Sequence, residues 1–185
     1  MPFLVAAVAL IAVLCLLNLL LTFGVIRKLR AQAEEKADSV AESLIIPAGS
    51  AAPAFSAVTT AGERITRESL GETMLGFFSP DCRACKERLP LFVEQARTTA
   101  RATGRSVLAV VHGTEEEARE QVAALSGVAH VVVEPGDGPL GEAFDVTGYP
   151  VFGLITADGT LAATAFDPAR LPAPGRQAGR AAASA

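Results

Sequence analysis

The sequence has little cysteine and little histidine. Of its 185 residues, 3 are cysteines and 2 are histidines. Cys15 lies in an apolar N-terminal run, so the remainder of the chain holds one cysteine pair, Cys82 and Cys85, and no further cysteine for structural disulfides. A zinc site would need two more ligands beside that pair, and His112 and His130 lack the paired spacing of a metal half-site. The composition therefore predicts no metal site and no cofactor.

Basic residues are also few. The chain has 16 Lys and Arg against 20 Asp and Glu, which gives a formal net charge of -4 at pH 7. Residues 53–166 contain no stripe of basic residues that could follow a phosphate backbone. Internal repeats are absent from the sequence as well. We therefore expect a single domain in this region and no nucleic-acid partner.

Charge is missing altogether from the first 26 residues. Residues 3–26 include only Asn18 and Thr22 as clearly polar side chains, and a run of about 24 residues is long enough to cross a bilayer as a helix. The run has neither the charged segment that opens a secretory signal peptide nor a small-residue cleavage site after it. The sequence therefore predicts an uncleaved, single-pass transmembrane anchor over residues 1–26, with Cys15 inside the span.

The remaining cysteines, Cys82 and Cys85, lie three positions apart, between an apolar run at 73–78 and a helix-like segment. At a helix N-terminus, free backbone N–H groups and the helix dipole stabilise a thiolate. A purely structural disulfide across so short a loop would add little stability, because disulfide stabilisation grows with loop size. The pattern C-x-x-C therefore predicts a dithiol/disulfide exchange centre.

Charged residues surround this pair. Arg83 and Lys86 favour a thiolate on Cys82, whereas Asp81 opposes it. The alternative is that all three are ordinary surface charges screened by solvent. Because the contributions are so evenly balanced, they assign no direction of exchange, whether reductive or oxidative.

The rest of the chain divides by composition. Residues 27–52 predict a charged, alanine-rich juxtamembrane helix without a sustained heptad pattern, ending in a linker from 47 to 53. Residues 167–185 are rich in proline and alanine and are predicted to be disordered. Between them, residues 53–166 contain unalternating apolar strands separated by helices, which is typical of an α/β domain with a sheet covered on both faces. Strands are predicted at 55–59, 73–78, 107–111, 130–133, 151–156 and 160–165, and helices at 85–102, 115–125 and 140–144.

Two arguments about the orientation of this domain oppose each other. Arg27, Lys28 and Arg30 follow the apolar run and no basic residue precedes it, which by the positive-inside tendency places the domain in the cytoplasm. A centre that exchanges protein disulfides belongs outside the membrane, where such bonds form and persist. We expect a cell-membrane protein with an extracytoplasmic domain.

The chain resembles membrane-anchored thioredoxin-fold proteins. It is most similar to the TlpA-like thiol:disulfide oxidoreductases and, within them, to the MauD-type proteins that assist methylamine dehydrogenase maturation. The resemblance covers about residues 52–166 and implies a thioredoxin-like three-layer sandwich, with a central mixed sheet and helices on both faces, preceded by one transmembrane helix. The motifs that carry it are Ala52-Pro-Ala-Phe55, Phe77-Phe-Ser-Pro80-Asp81-Cys82-Arg83-Ala84-Cys85, Pro90, Val146-Thr-Gly-Tyr149-Pro150-Val-Phe152 and Asp158-Gly159.

The resemblance also implies roles for individual residues. Cys82 would be the nucleophile that forms a mixed disulfide with a partner, and Cys85 would resolve it. Pro150 would follow a cis bond, although sequence alone favours trans because only about 5–6% of X-Pro bonds are cis. Tyr149 would offer its backbone to an extended client chain. Pro90 also has an explanation apart from the resemblance, because a proline inside a helix kinks it. The implied partners are client proteins with thiols or disulfides and a membrane electron-donor protein.

Three features depart from the family pattern. Ser79-Pro80-Asp81 stands where an aromatic residue often precedes the motif, and Gly76 stands at the position of the usual buried acid. Pro172 and Pro174 cut short the closing helix. Two other functions stay open at this point: a redox-inert docking module, and a maturation factor dedicated to a single enzyme.

Overall fold

The computed structural model describes residues 2–172, and for parts of the first helix it gives the backbone alone. Seven strands alternate with five helices and a terminal 3-10 turn within these residues. The helices are α1 (Pro2–Ser43), α2 (Arg67–Leu70), α3 (Arg83–Thr103), α4 (Arg119–Leu125) and α5 (Pro139–Ala143). The strands are β1 (Ser56–Val58), β2 (Arg64–Thr66), β3 (Thr73–Phe78), β4 (Ser106–His112), β5 (His130–Glu134), β6 (Val151–Ile155) and β7 (Leu161–Ala165).

Five strands form the central sheet, in the order β5-β4-β3-β6-β7. Strands β3, β4 and β5 are parallel, while β6 runs antiparallel to β3 and β7 runs antiparallel to β6. Every residue of β3 is buried, as its unbroken apolar sequence predicts for a strand covered on both faces. The α/β class and the mixed central sheet expected from the sequence are confirmed.

Each face of the sheet has its own apolar core. The first core lies on the face covered by α3 and α4, and includes Phe78, Phe92 and Phe152. The second core lies on the opposite face, where α5, the end of α1 and the β1–β2 hairpin cover Phe77 and its neighbours. Fully burying one such side chain stabilises the fold by about 1.5–3 kcal/mol. Helices thus pack against both faces of the central sheet, as the sequence predicts.

Helix α3 begins where the cysteine pair begins. Cys82 is its N-cap residue, in extended backbone conformation, and the helix ends at Gly104 with a left-handed φ of 65°. Gly104 can adopt this conformation without steric cost, which makes it a natural helix terminator. Pro90 lies inside the helix on its exposed side and supplies no backbone donor to the turn before it.

The strand predicted at 55–59 is present as β1, but β2 and α2, which follow it, were not predicted from the sequence. Strands β1 and β2 pair as an antiparallel hairpin, and α2 follows β2 directly. Thr66 caps α2 by accepting the Ser69 N–H, while the Ser69 side chain accepts the Thr66 N–H. This reciprocal capping box stabilises a helix too short to show a hydrophobic period.

The described part of the chain divides into two compact units, with the division between Ala37 and Asp38. In the part of the chain that the structure describes, no helix is both long enough and apolar enough to cross a membrane. The anchor expected over residues 1–26 stays a prediction.

The domain begins earlier than the expected residue 53. Ile45 and Ala52 are buried, and the Ile46 N–H donates to the Phe144 carbonyl at 2.9 Å. The Thr147 N–H donates to the Leu44 carbonyl at 3.0 Å. The segment predicted as a linker, 47–53, also bonds to the β6–β7 hairpin: Ala52 N–H donates to Gly159 O at 2.7 Å, and Leu161 N–H to Ser50 O at 2.9 Å. These backbone bonds make the expected linker an ordered part of the domain.

The domain also ends later than the expected residue 166. A 3-10 turn spans Pro168–Arg170, with Asp167 as its cap, and Leu171 is buried in the first core. Arg88 of α3 forms an ion pair with Asp167, which fixes this extension to the helix. Residues 173–185 of the predicted tail, including Pro174, lie outside the described residues.

Candidate active site

The two cysteines lie at the junction of β3 and α3, in different environments. Cys82 is partly exposed, whereas Cys85 is only 1% exposed. Both are free thiols, and the Cys85 N–H donates to Cys82 Sγ at 3.1 Å. The Cys82 sulfur therefore occupies the N-cap acceptor position, where the free N–H groups and the dipole of α3 stabilise negative charge.

Burial controls the chemistry of Cys85. Removal from solvent raises the pKa of this thiol to about 12, and the hydrogen bond with Cys82 acts in the same direction. The Ser79 N–H donates to Cys85 Sγ at 3.5 Å and opposes the shift. Cys85 is accordingly held as a thiol at neutral pH, and of the two sulfurs only Cys82 is open to an external partner.

The loop before β6 faces the cysteines. The Tyr149–Pro150 peptide bond is cis, and Pro150 is buried. The Cys82 thiol donates to the Tyr149 carbonyl at 3.4 Å, across 67 positions of sequence. The structure thus brings together four of the residues singled out from the sequence: Cys82, Cys85, Tyr149 and Pro150.

The residues flanking the motif lie around this centre without entering it. Pro80 is buried against Gly113, and Ala84 is partly buried in the first turn of α3. Arg83 is almost fully exposed, and its Nε donates to Glu87 Oε1 at 3.1 Å. Asp81 is exposed as well. Solvent therefore screens these charges strongly, in agreement with the alternative that they are ordinary surface charges.

Aromatic rings fill the place where the family pattern has an acid. A Cβ atom added to Gly76 would lie 2.7 Å from Phe92 Cε2, closer than packed atoms approach. Phe92 in turn lies edge-on to Phe78, with ring centroids 5.2 Å apart, and stacks on Phe152 at 5.4 Å. A side chain at position 76, including a carboxylate, therefore fits only if the Phe92 ring moves.

Solved structures of similar fold support a common architecture. The thioredoxin domain of a thiol-disulfide oxidoreductase from Bacteroides vulgatus matches with a TM-score of 0.54 at 18% identity, over 64% of this chain and 88% of that chain. A thiol-disulfide oxidoreductase from Bacteroides fragilis matches with a TM-score of 0.55 at 15% identity, over 63% and 90%. A thiol:disulfide interchange protein of the thioredoxin family from Chlorobium tepidum matches with a TM-score of 0.51 at 23% identity, over 63% and 84%. The chain has the thioredoxin fold.

No family model and no curated protein matches the sequence. The likeness between this thioredoxin fold and the solved structures is one of architecture. The narrower resemblance to MauD-type proteins, and the roles it implies for Cys82, Cys85, Tyr149 and Pro150, stay predictions.

Two functional candidates in this thioredoxin fold were missed at the level of sequence. His112 and Glu134 are register partners at the ends of β4 and β5, and His112 Nε2 lies 3.4 Å from Glu134 Oε1. Burial lowers the pKa of His112 and raises the pKa of Glu134. No local sequence signal predicts this pair, because the register between two strands brings it together.

Metal binding finds no support in the described part of the thioredoxin fold. Within residues 2–172, no group of three or more His, Cys, Asp or Glu side chains is placed to hold a metal ion. The other histidine, His130, is partly exposed at the opposite end of β5, where its Nδ1 lies 3.2 Å from Glu63 Oε2.

Proposed function

We propose that this protein is a thiol-disulfide oxidoreductase that exchanges disulfides with client proteins through Cys82 and Cys85. The observation that carries the proposal is the asymmetry of the pair. Cys82 is open to a partner at the N-terminus of α3, while Cys85 lies beneath it as a buried thiol with a pKa of about 12. Thiol-disulfide exchange needs one accessible thiolate and one protected resolving thiol.

In the reductive direction, the Cys82 thiolate attacks one sulfur of a client disulfide. The client S–S bond breaks, a Cys82–client disulfide forms, and the second client sulfur leaves as a thiolate that takes a proton from solvent. Cys85 then loses its proton and attacks Cys82 Sγ, which releases the first client sulfur as a thiol. Two electrons pass to the client, and the protein is left with a Cys82–Cys85 disulfide. The oxidative direction is the reverse sequence.

The resolving step is the slower one in this mechanism. Cys85 must lose a proton against a pKa raised by burial, and Gly76 offers no carboxylate to accept it. The proton therefore leaves by way of solvent at the partly exposed Cys82 side of the pair. This predicts a mixed disulfide that lives long enough to be trapped.

Tyr149 gives the client a place to dock. Its carbonyl lies 3.4 Å from Cys82 Sγ, so an extended client chain pairing with this backbone would present its disulfide to Cys82. Main-chain pairing of this kind binds an extended segment with little demand on its sequence.

The proposal also covers the location of the domain and its source of electrons. We propose that residues 1–26 tether the domain to the cell membrane, on its extracytoplasmic side. There a membrane electron-donor protein would reduce the Cys82–Cys85 disulfide. A role in maturing one enzyme rests on the sequence resemblance alone. Labelling of Cys82 in intact cells by a membrane-impermeant maleimide, in a Cys15→Ser background, tests the side of the membrane.

The test of the exchange function uses two variants of the full chain in detergent. Cys82→Ser removes the nucleophile, and we expect its insulin reduction by dithiothreitol to fall to the uncatalysed rate. Cys85→Ser keeps the nucleophile and loses the resolving thiol, so mixed disulfides should accumulate on it and be visible on non-reducing gels. Undiminished insulin reduction by both variants would overturn the proposal, and would favour a redox-inert docking module.

A further inference from the structure

Two ionisable side chains lie in the core beside the active site without a part in the exchange chemistry. The side chains of His112 and Glu134 are 2% and 4% exposed. Glu134 Oε2 accepts the Leu140 N–H at 3.1 Å, and Glu134 Oε1 accepts the Gly141 N–H at 2.7 Å. Among the described residues, neither ring nitrogen of His112 makes a well-aligned hydrogen bond. Burying such groups costs free energy, so a buried ionisable pair in a core suggests a functional role.

The fold makes room for this pair with two glycines. A Cβ atom at Gly141 would lie 2.5 Å from His112 Cε1, and one at Gly138 would lie 2.5 Å from Glu134 Cδ. Both glycines belong to the start of α5, whose backbone N–H groups hold the Glu134 carboxylate. The pair is thus enclosed by close packing and fixed at one end by hydrogen bonds.

The other end of the pair contacts Tyr149. The His112 ring lies 5.0 Å from the Tyr149 ring, centroid to centroid, at an interplanar angle of 37°. Tyr149 packs against both apolar cores, and its carbonyl accepts the Cys82 thiol. A continuous line of contacts therefore runs from Glu134 through His112 and Tyr149 to Cys82.

We propose that His112 and Glu134 are positioning residues, which hold Tyr149 so that its backbone is ready to receive a client chain. The proposal rests on the exchange function proposed above and deepens it. Glu134 Oε1 lies 3.4 Å from His112 Nε2 and limits the movement of the His112 ring, and Tyr149 packs against that ring. Neither residue touches a sulfur atom in this arrangement, so the intrinsic reactivity of Cys82 does not depend on them.

Because reactivity depends on Cys82 and client docking on Tyr149, two kinds of substrate should respond differently. A small disulfide such as 5,5'-dithiobis(2-nitrobenzoic acid) reaches Cys82 without pairing to the Tyr149 backbone. A protein disulfide, such as those of insulin, needs that backbone to be in place. Loosening Tyr149 should therefore raise KM for insulin and leave the reaction with the small disulfide unchanged.

The experiment compares His112→Gln and Glu134→Gln with the parent in the full chain, in detergent and in a Cys15→Ser background. We expect KM for insulin to rise about fivefold or more in His112→Gln and less in Glu134→Gln, with kcat changed less than twofold. The rate of the reduced protein with 5,5'-dithiobis(2-nitrobenzoic acid) should stay within twofold. The matched control is His130→Gln, which removes the contact between His130 Nδ1 and Glu63 Oε2 at the far end of β5 and should change neither quantity.

An unchanged insulin KM in the folded variants overturns the inference. Parallel losses with insulin and the small disulfide also overturn it, because they would mean general damage to the site. If His112→Gln does not fold, Glu134→Gln decides the question alone. A parent protein that reacts with neither disulfide would instead overturn the exchange function itself, so the two failures are distinguishable.

Discussion

On the face of the central sheet that carries α3, Cys85 belongs to a core that contains three aromatic rings, and one of them, Phe92, occupies the space above Gly76. On the opposite face, the same end of the sheet holds a buried acid and a buried base, Glu134 and His112. Tyr149 packs against both cores. The difference shows that the buried ionisable pair lies on the face opposite Cys85, behind Tyr149, the residue that we propose contacts the client.

The largest effect is expected when an acid is placed on the aromatic face. Gly76→Asp would press its Cβ to 2.7 Å from Phe92 and bury a carboxyl group among rings, so we expect a loss of about 3 kcal/mol or more in unfolding free energy. Urea denaturation under reducing conditions measures it. The control is Gly127→Asp, at an exposed site with open space around it, which should change stability by less than about 0.5 kcal/mol. A Gly76→Asp variant as stable as the parent would mean that Phe92 moves aside at little cost, which would contradict the close packing over Gly76.

A smaller effect is expected from crowding the opposite face. Gly141→Ala places a methyl group 2.5 Å from His112 Cε1, and overpacking of this kind costs about 1–3 kcal/mol. The matched control is Gly136→Ala, where no atom lies within 4 Å of the added Cβ, and its stability should be near that of the parent. Thermal unfolding of the three proteins side by side checks the difference. Equal stabilities for both variants would contradict the close enclosure of the His112–Glu134 pair.

The smallest effect, over the single pH unit from 9 to 10, is a pH dependence of stability that arises from Cys85. The folded protein raises the Cys85 pKa from 9.0 to about 12, so the thiol form is favoured by folding. The resulting stability is complete below pH 9 and is lost as pH rises towards 12, at about 1.4 kcal/mol per pH unit. Between pH 9 and 10, the reduced parent should therefore lose stability more steeply than Cys85→Ser. Parallel curves for the two proteins in urea titrations would contradict the burial argument.

Local sequence carried most of the information about the sheet. The apolar run Thr73–Phe78 predicts β3 to the residue, because every side chain on both faces is buried. The helix predicted at 85–102 is present as α3, but it begins two residues earlier, at Arg83, because Cys82 caps it. The predicted helix at 115–125 is regular only from Arg119, since Thr114 and Glu117 form a separate hydrogen-bonded turn before it.

What the sequence could not predict depends on contacts between distant segments. Residues 47–53 have the composition of a linker, yet their backbone bonds to the β6–β7 hairpin more than 100 positions away. His112 and Glu134 each look unremarkable alone, and only the register of β4 against β5 joins them. The hairpin partner β2 was missed because three residues are too few to show a period.

The hydrogen bonds between residues 44–46, just after α1, and the loop before Tyr149 limit where the chain can be shortened. A fragment beginning at residue 53 would strip the partners from Phe144 O and Thr147 N–H, and would uncover the side of Gly148 that Leu44 now covers. Such a fragment would keep Cys82 and Cys85 but lose contacts beside the proposed client site. Shortened versions for crystallisation or NMR should therefore begin at or before Asp38, where the second compact unit starts.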